Sequence, residues 1–114
     1  MNEWRELKTT LKALGDMARL TIVYYLARHE EVTVTDLTDL LAISQPLVSW
    51  HLRKLHRAGL IGTRRAGRQV YCSLNMERFQ ECLQQLELLV DPATLLESLP
   101  AGEALREAEA SLED

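Results

Sequence analysis

A chain of 114 residues, 46% hydrophobic and 26% charged, holds one modest core of the kind found in soluble globular proteins. The longest apolar run, Leu20–Ala27, is far too short to cross a bilayer, and the opening MNEWRELK lacks the apolar segment of a secretory signal. Cys72 and Cys82 do not make a disulfide framework, which points to a reducing, cytoplasmic compartment, and the formal net charge of −4 argues at first sight against a polyanionic partner.

Trp4, Leu7, Leu11 and Leu14 recur at helical spacing, and Gly15 ends that first helix. Asp16 is placed to cap a second, whose apolar face is expected at Leu20, Val23 and Leu26. A short third helix fits Thr35–Leu41, capped by Thr33 or Thr35, with Leu37, Leu40 and Leu41 inward. A tight turn, AIS, leads to Ser44, which caps a fourth helix carrying Pro46 in its first turn and stopped by Gly59. The period then changes. LIGTRR and RQVYCSL read as two strands around an Ala66–Gly67 tip, with Val70, Cys72 and Leu74 on one face. Asn75 caps a fifth helix, Met76–Val90; a short helix TLLESL and an acidic helix EALREAEASLED follow, with Leu105 and Leu112 packing locally. The pattern is mainly α, an α+β fold with five core helices, a two-stranded hairpin and an acidic helical extension. Residues 1–90 form one expected domain and residues 91–114 the extension.

The charge is unevenly spread. Residues 1–74 carry eleven Lys or Arg against seven Asp or Glu, a net +4, whereas residues 75–114 carry two against ten, a net −8. The stretch Ser44–Arg68 holds Arg53, Lys54, Arg57, Arg64, Arg65 and Arg68 and no carboxylate at all. On a helical wheel Val48, Leu52 and Leu55 share one side of the fourth helix, with His51 at its edge. Gln45, Ser49 and Arg53 lie on the other, flanked by Pro46, Trp50 and Arg57. Two short helices joined by a tight turn, the second with an exposed polar face, are the parts of a helix-turn-helix. Such a face fits the major groove of double-stranded DNA, where Gln pairs with adenine, Arg with guanine, and Ser with bases or phosphates. Arginines around the hairpin tip suit a phosphate backbone or an adjacent minor groove. Because neutralising phosphates releases counterions, carboxylates nearby would oppose binding, and the stretch is emptied of them.

The ordered segments LKALGDMARLTIVYYL, SQPLVSWHLRKLHRAGLI and RRAGRQVYCSL resemble the arsenic-repressor (ArsR/SmtB) family of winged helix-turn-helix transcriptional repressors, over about residues 5–90. The resemblance implies a homodimer on an inverted-repeat operator, released by an effector that the residues do not identify. It puts Ser44, Gln45, Pro46, Ser49, Trp50, Arg53 and Lys54 on a recognition helix at 44–58 and Arg64, Arg65 and Arg68 on a wing at 60–73. It also implies dimerisation through the first and fifth helices. The residues favour this independently: Phe79, Leu83, Leu86 and Val90 belong to a fifth-helix apolar stripe wider than one core contact needs, and Trp4, Leu7, Leu11 and Leu14 follow a 3-4-3 spacing suited to helix-on-helix packing.

Many relatives place Cys-x-Cys where this chain has Thr33 and Thr35, and other family sites use His on the last core helix, which here has none. Neutral hydroxyls are poor ligands for soft metals, so no metal and no other cofactor is expected. Cys72 and Cys82 read as inert core residues, or alternatively as the pair of a redox-responsive repressor. A winged-helix module meeting an acidic protein is the alternative to DNA binding. An enzyme is not expected, since there is no glycine-rich phosphate loop, catalytic Cys/His pair or apolar carboxylate pair.

Overall fold

The computed structural model describes residues 3–93, together with Arg106, Glu109, Ala110 and Leu112. Its elements are α1 (Glu3–Leu14), α2 (Met17–Leu26), β1 (Val32–Thr33), α3 (Val34–Leu41), α4 (Gln45–Arg57), β2 (Ile61–Ala66), β3 (Gln69–Leu74) and α5 (Met76–Val90). The expected mainly α, α+β architecture with five helices is present.

Side chains close the helix ends where the sequence suggests. Asp16 accepts the Arg19 backbone N–H at 3.2 Å, Thr33 Oγ1 accepts that of Asp36 at 3.0 Å, and Asn75 accepts that of Arg78 at 3.3 Å. Ser44 is different: it occupies the position before α4 in extended backbone, but its hydroxyl makes no capping bond. The three-residue turn between α3 and α4 is closed by Ala42 at φ 54, left-handed without a glycine, with its N–H bonded to Thr38 O. No residue type announces that turn, which is why only its length was legible.

The sheet has three antiparallel strands in the order β1-β3-β2, not the two of a lone hairpin. Val32 and Thr33 add to the outer edge of β3 opposite Cys72 and Tyr71. Two β-branched residues suit a strand but are too few to show an alternation. The hairpin turns one residue later than its sequence suggests. Ala66 still pairs with Gln69, leaving Gly67 and Arg68 at the tip, and Gly67 at φ 62 supplies the positive φ that matches the twist of the flanking strands.

The core gathers Ile22 and Leu26 from α2, Leu37 from α3, Val48, Leu52 and Leu55 from α4, and Leu60, Ile61 and Cys72 from the hairpin. Each fully buried Ile, Leu or Val contributes about 1.5–3 kcal/mol, so this cluster dominates the packing. The inward face of α2 differs from the expected one at Leu20, which is 46% exposed; Leu26 is buried and Val23 partly buried against the core as expected, and Arg19 and Ile22 are the other buried positions. MARLTIVYYL is apolar on nearly every side, so its spacing fits either face; the cap at Asp16 and the bonds of Arg19 select one. In the extension, residues 94–105, including the TLLESL helix and Leu105, lie outside the described residues. Arg106, Glu109, Ala110 and Leu112 are helical, and Leu112 is 87% exposed rather than locally packed.

Gly59 lies just beyond α4 at φ +76, where an added Cβ would meet only the flexible side chain of Arg78, at 3.7 Å. The cost of a substitution there is conformational, about 1–2 kcal/mol for an L-residue held left-handed. Gly59→Ala is expected to lower the unfolding free energy in urea by about that amount, and an unchanged midpoint would contradict this placement.

Candidate nucleic-acid interface

Helix α4 is divided along its length. Val48, His51, Leu52 and Leu55 are buried, while Gln45, Pro46, Trp50, Arg53 and Arg57 are exposed and Ser49 and Lys54 half-buried. Ser44, exposed and free of a capping bond, stands with Gln45 and Pro46 at the N-terminal end of that outward face. The first-turn N–H groups and the positive end of the helix dipole lie there too, favouring an anion. Among the described residues Arg53 makes no ion pair, and its guanidinium, with five donors, is exposed.

The Trp50 ring is not loose. Lys54 Nζ lies 5.0 Å from its centroid, Arg19 Cζ lies 5.6 Å away, and the His51 ring meets it edge-on at 5.0 Å and 68°. Beneath it, Arg19 Nη1 bonds His51 Nδ1 at 3.0 Å in buried surroundings, with Asp16 Oδ2 3.8 Å from the same nitrogen. His51, at the edge of the apolar side, is thus buried and bonded to a side chain of α2.

The hairpin carries Arg64, Arg65 and Arg68, all exposed. Arg65 and Arg68 form no ion pair among the described residues. Arg64 does: its Nε and Nη2 each donate to Glu31 at 2.7 Å, a two-pronged ion pair. The guanidinium also lies 4.4 Å from the centroid of Tyr71, directly across the ladder. Sequence reasoning missed Glu31 because it lies outside the carboxylate-free stretch and reaches the hairpin only through β1. The Arg64 hydrogen bond holds the Glu31 carboxyl below the usual carboxylate range, and Glu31 raises Arg64 in turn. The pair's contribution to folding is thus present above the ordinary carboxylate range and is lost as pH falls through the lowered Glu31 value.

At the far end of α4, α5 holds the chain. Asn75 Nδ2 donates to Gly59 O at 3.0 Å and Arg78 Nε to Ala58 O at 3.2 Å, while Arg78 also reaches Thr10 Oγ1 on α1 at 2.9 Å. Of the residues expected at a dimer contact, Leu11, Leu83 and Val90 are exposed, at 42%, 58% and 77%. Trp4, Leu14, Phe79 and Leu86 are half-buried, and Leu7, at 5%, already belongs to the interior of the single chain.

The positions where relatives carry a Cys-x-Cys pair hold hydroxyls here, and both thiols are buried. The Thr33 hydroxyl is engaged in capping α3, Thr35 is exposed, and two hydroxyls do not fit the soft ion that a Cys-x-Cys pair would bind. No group of three or more His, Cys, Asp or Glu positioned for a metal occurs among the described residues. Cys72 and Cys82 are free and buried, and burial pushes the Cys72 thiol up to about 11.

A short helix and tight turn feeding a half-exposed second helix, followed by an arginine-bearing hairpin, define a winged helix-turn-helix DNA-binding protein. The model of bacterial regulatory proteins of the arsR family matches residues 16–63. The chain is 38% identical over 90 residues to the arsenic resistance transcriptional regulator of Pseudomonas putida, covering 76% of this chain and 70% of that one. It is 35% identical over 81 residues to the arsenical resistance operon repressor of Bacillus subtilis, covering 71% and 77% respectively. A solved ArsR family transcriptional regulator is similar at a TM-score of 0.69 and 26% identity, over 75% of this chain and 88% of that one. The chain belongs to the arsR family and is a DNA-binding transcriptional regulator.

Two outcomes follow from these contacts. Glu31→Gln removes the charge that competes for Arg64, so affinity for duplex DNA at near-physiological salt is expected to rise about two- to five-fold in a fluorescence anisotropy titration. A weaker or unchanged affinity would mean that Arg64 does not meet phosphate. Cys72, protonated and fully buried, is expected to resist a disulfide reagent at pH 8 in the native chain and to react at once in guanidinium; fast native labelling at Cys72 would contradict its placement.

Proposed function

We propose that this regulator is a cytoplasmic homodimer that represses transcription by reading an inverted repeat in double-stranded DNA and is released by an effector. In this reading residues 44–58 enter the major groove. Gln45, Ser49 and Arg53 meet base edges, Trp50 a sugar or a thymine methyl, and Ser44, Pro46 and Lys54 the groove wall and its phosphates. Residues 60–73 form the wing, with Arg64, Arg65 and Arg68 on the backbone or the adjacent minor groove. The observation that carries the reading is the outward face of α4, where uncommitted polar and cationic groups stand with no carboxylate among them.

The dimer reading rests on apolar surface that the single chain leaves uncovered. Leu83, Leu88, Leu89 and Val90 of α5 are all more than two-fifths exposed, as is Leu11 of α1. Trp4, Leu14, Phe79 and Leu86 flank this surface, and Leu7 supports it from inside. Residues 1–90 make the DNA-binding and dimerisation domain in this reading, and residues 91–114 an acidic extension. The fold serves binding rather than catalysis. No helix among the described residues is long and apolar enough to cross a membrane. The effector is not a soft metal held by positions 33 and 35, where this chain offers hydroxyls.

Selection of bound duplexes from a random DNA library at near-physiological salt tests this directly. An enriched inverted repeat is expected, with half-sites about one helical turn apart; no enrichment would overturn the reading. On the enriched duplex, Arg53→Ala should cost about 1–3 kcal/mol and relax base preference at one position per half-site. Arg65→Ala should weaken all sequences alike and lower the salt slope by about one. Equal, sequence-independent losses from both substitutions would sink these roles.

A further inference from the structure

We propose that Arg19, buried in α2, is a positioning residue for sequence recognition: acting through His51, it holds the Trp50 indole at the DNA-facing surface. The proposal rests on the reading that α4 contacts DNA.

Arg19 is only 8% exposed, an uncommon place for a guanidinium. It joins three elements. Its backbone N–H is bonded to Asp16 at the start of α2, its Nε donates to Ala13 O in the last turn of α1, and its Nη1 contacts His51 Nδ1 on α4. A guanidinium has no acceptor, so Nδ1 must offer its lone pair and the imidazole proton must sit on Nε2. The His51 ring, 6% exposed, is thereby held in one tautomer and one orientation.

Trp50 inherits that orientation. Its ring lies edge-on to His51 and within reach of the Arg19 guanidinium, while the indole remains 42% exposed. An apolar side chain could fill the volume of Arg19 without the desolvation cost. What an apolar residue cannot supply is a directional bond selecting one pose for the residue above it. A ring held in one pose can discriminate a thymine methyl from the other groups displayed in the major groove; a ring free to swing cannot.

The test uses the full chain labelled with fluorotryptophan, its Trp50 resonance assigned by comparison with Trp50→Phe. Fluorine spectra of the free protein report the indole environment without DNA. Affinities for the selected duplex and for a scrambled one of equal composition report recognition. His51→Asn presents an acceptor near the place of Nδ1, whereas His51→Gln presents it near that of Nε2. His51→Asn is expected to keep the Trp50 resonance and the preference for the selected duplex within about two-fold. His51→Gln and Arg19→Met are expected to shift the resonance and cut the preference about ten-fold or more, with affinity for the scrambled duplex changed by less than about two-fold. Folded Arg19→Met or His51→Gln protein with resonance and preference unchanged would overturn the proposal. So would equal losses from Asn and Gln, or losses shared equally by both duplexes. Should Arg19→Met not fold, the His51 pair decides; should both His51 variants unfold, the contact is structural and the proposal fails. A wild-type chain that does not distinguish the duplexes would instead defeat the reading of α4, and the free-protein spectra would still judge the positioning.

Discussion

Val48, Leu52 and Leu55 anchor one side of α4 in the core, and the choice of which side chains α4 turns outward follows from that burial. A helix has one rotation about its axis to choose. With those three side chains inward, Gln45, Ser49, Trp50 and Arg53 have to face out or lie at the margin. The left-handed turn at Ala42 then fixes how α4 leaves α3, and Asn75, which caps α5, and Arg78 within it hold the two carbonyls that follow the last turn of α4. The backbone at both ends of α4 is thus tied to its neighbours.

Charge is arranged on that frame with similar economy. An acidic chain concentrates its cations in one stretch and removes carboxylates from it, yet the fold returns one. Glu31 arrives along β1 and clamps Arg64 with two short hydrogen bonds. The pair is exposed, so water and salt weaken it, and phosphate is a competitive substitute for the carboxylate. Arg64 is thus pre-oriented along Tyr71 before any DNA arrives, while Arg65 and Arg68 are left to the solvent. The buried arginine contrasts with these. Arg19 is committed to bonds inside the protein and contributes order instead of charge.

Much of this was legible in the residues. Helix ends announced themselves through Asp16, Thr33, Asn75 and Gly59, because capping chemistry is local. The two sides of α4 were legible because its apolar and polar residues separate cleanly at helical spacing. Where a segment is apolar all round, as in α2, spacing cannot choose a face, and Leu20 was expected inside where Arg19 and Ile22 lie. The clue was present: positions 19, 22 and 26 follow helical spacing, and a charge on such a line asks for a buried partner. The strand β1 and the Glu31–Arg64 pair depend on contacts between residues about thirty to forty positions apart, which no local pattern encodes. The one-residue shift of the hairpin tip followed from where a positive φ was needed. Among the expected dimer residues, Leu7 shares the helical line of Leu11 but is covered by the single chain. Periodicity marks an apolar stripe without saying which end of it the monomer uses.

The central claim, that the outward face of α4 reads base edges in the major groove, has a direct chemical probe. Replacing single purines of a selected duplex with their N7-deaza analogues removes one major-groove acceptor and leaves base pairing intact. The account predicts that affinity falls about ten-fold at symmetry-related positions, one or two per half-site, and is unchanged elsewhere. A duplex indifferent to every such replacement, yet weakened when inosine removes the minor-groove amino group of guanine, would show that recognition runs through the other groove and would contradict it.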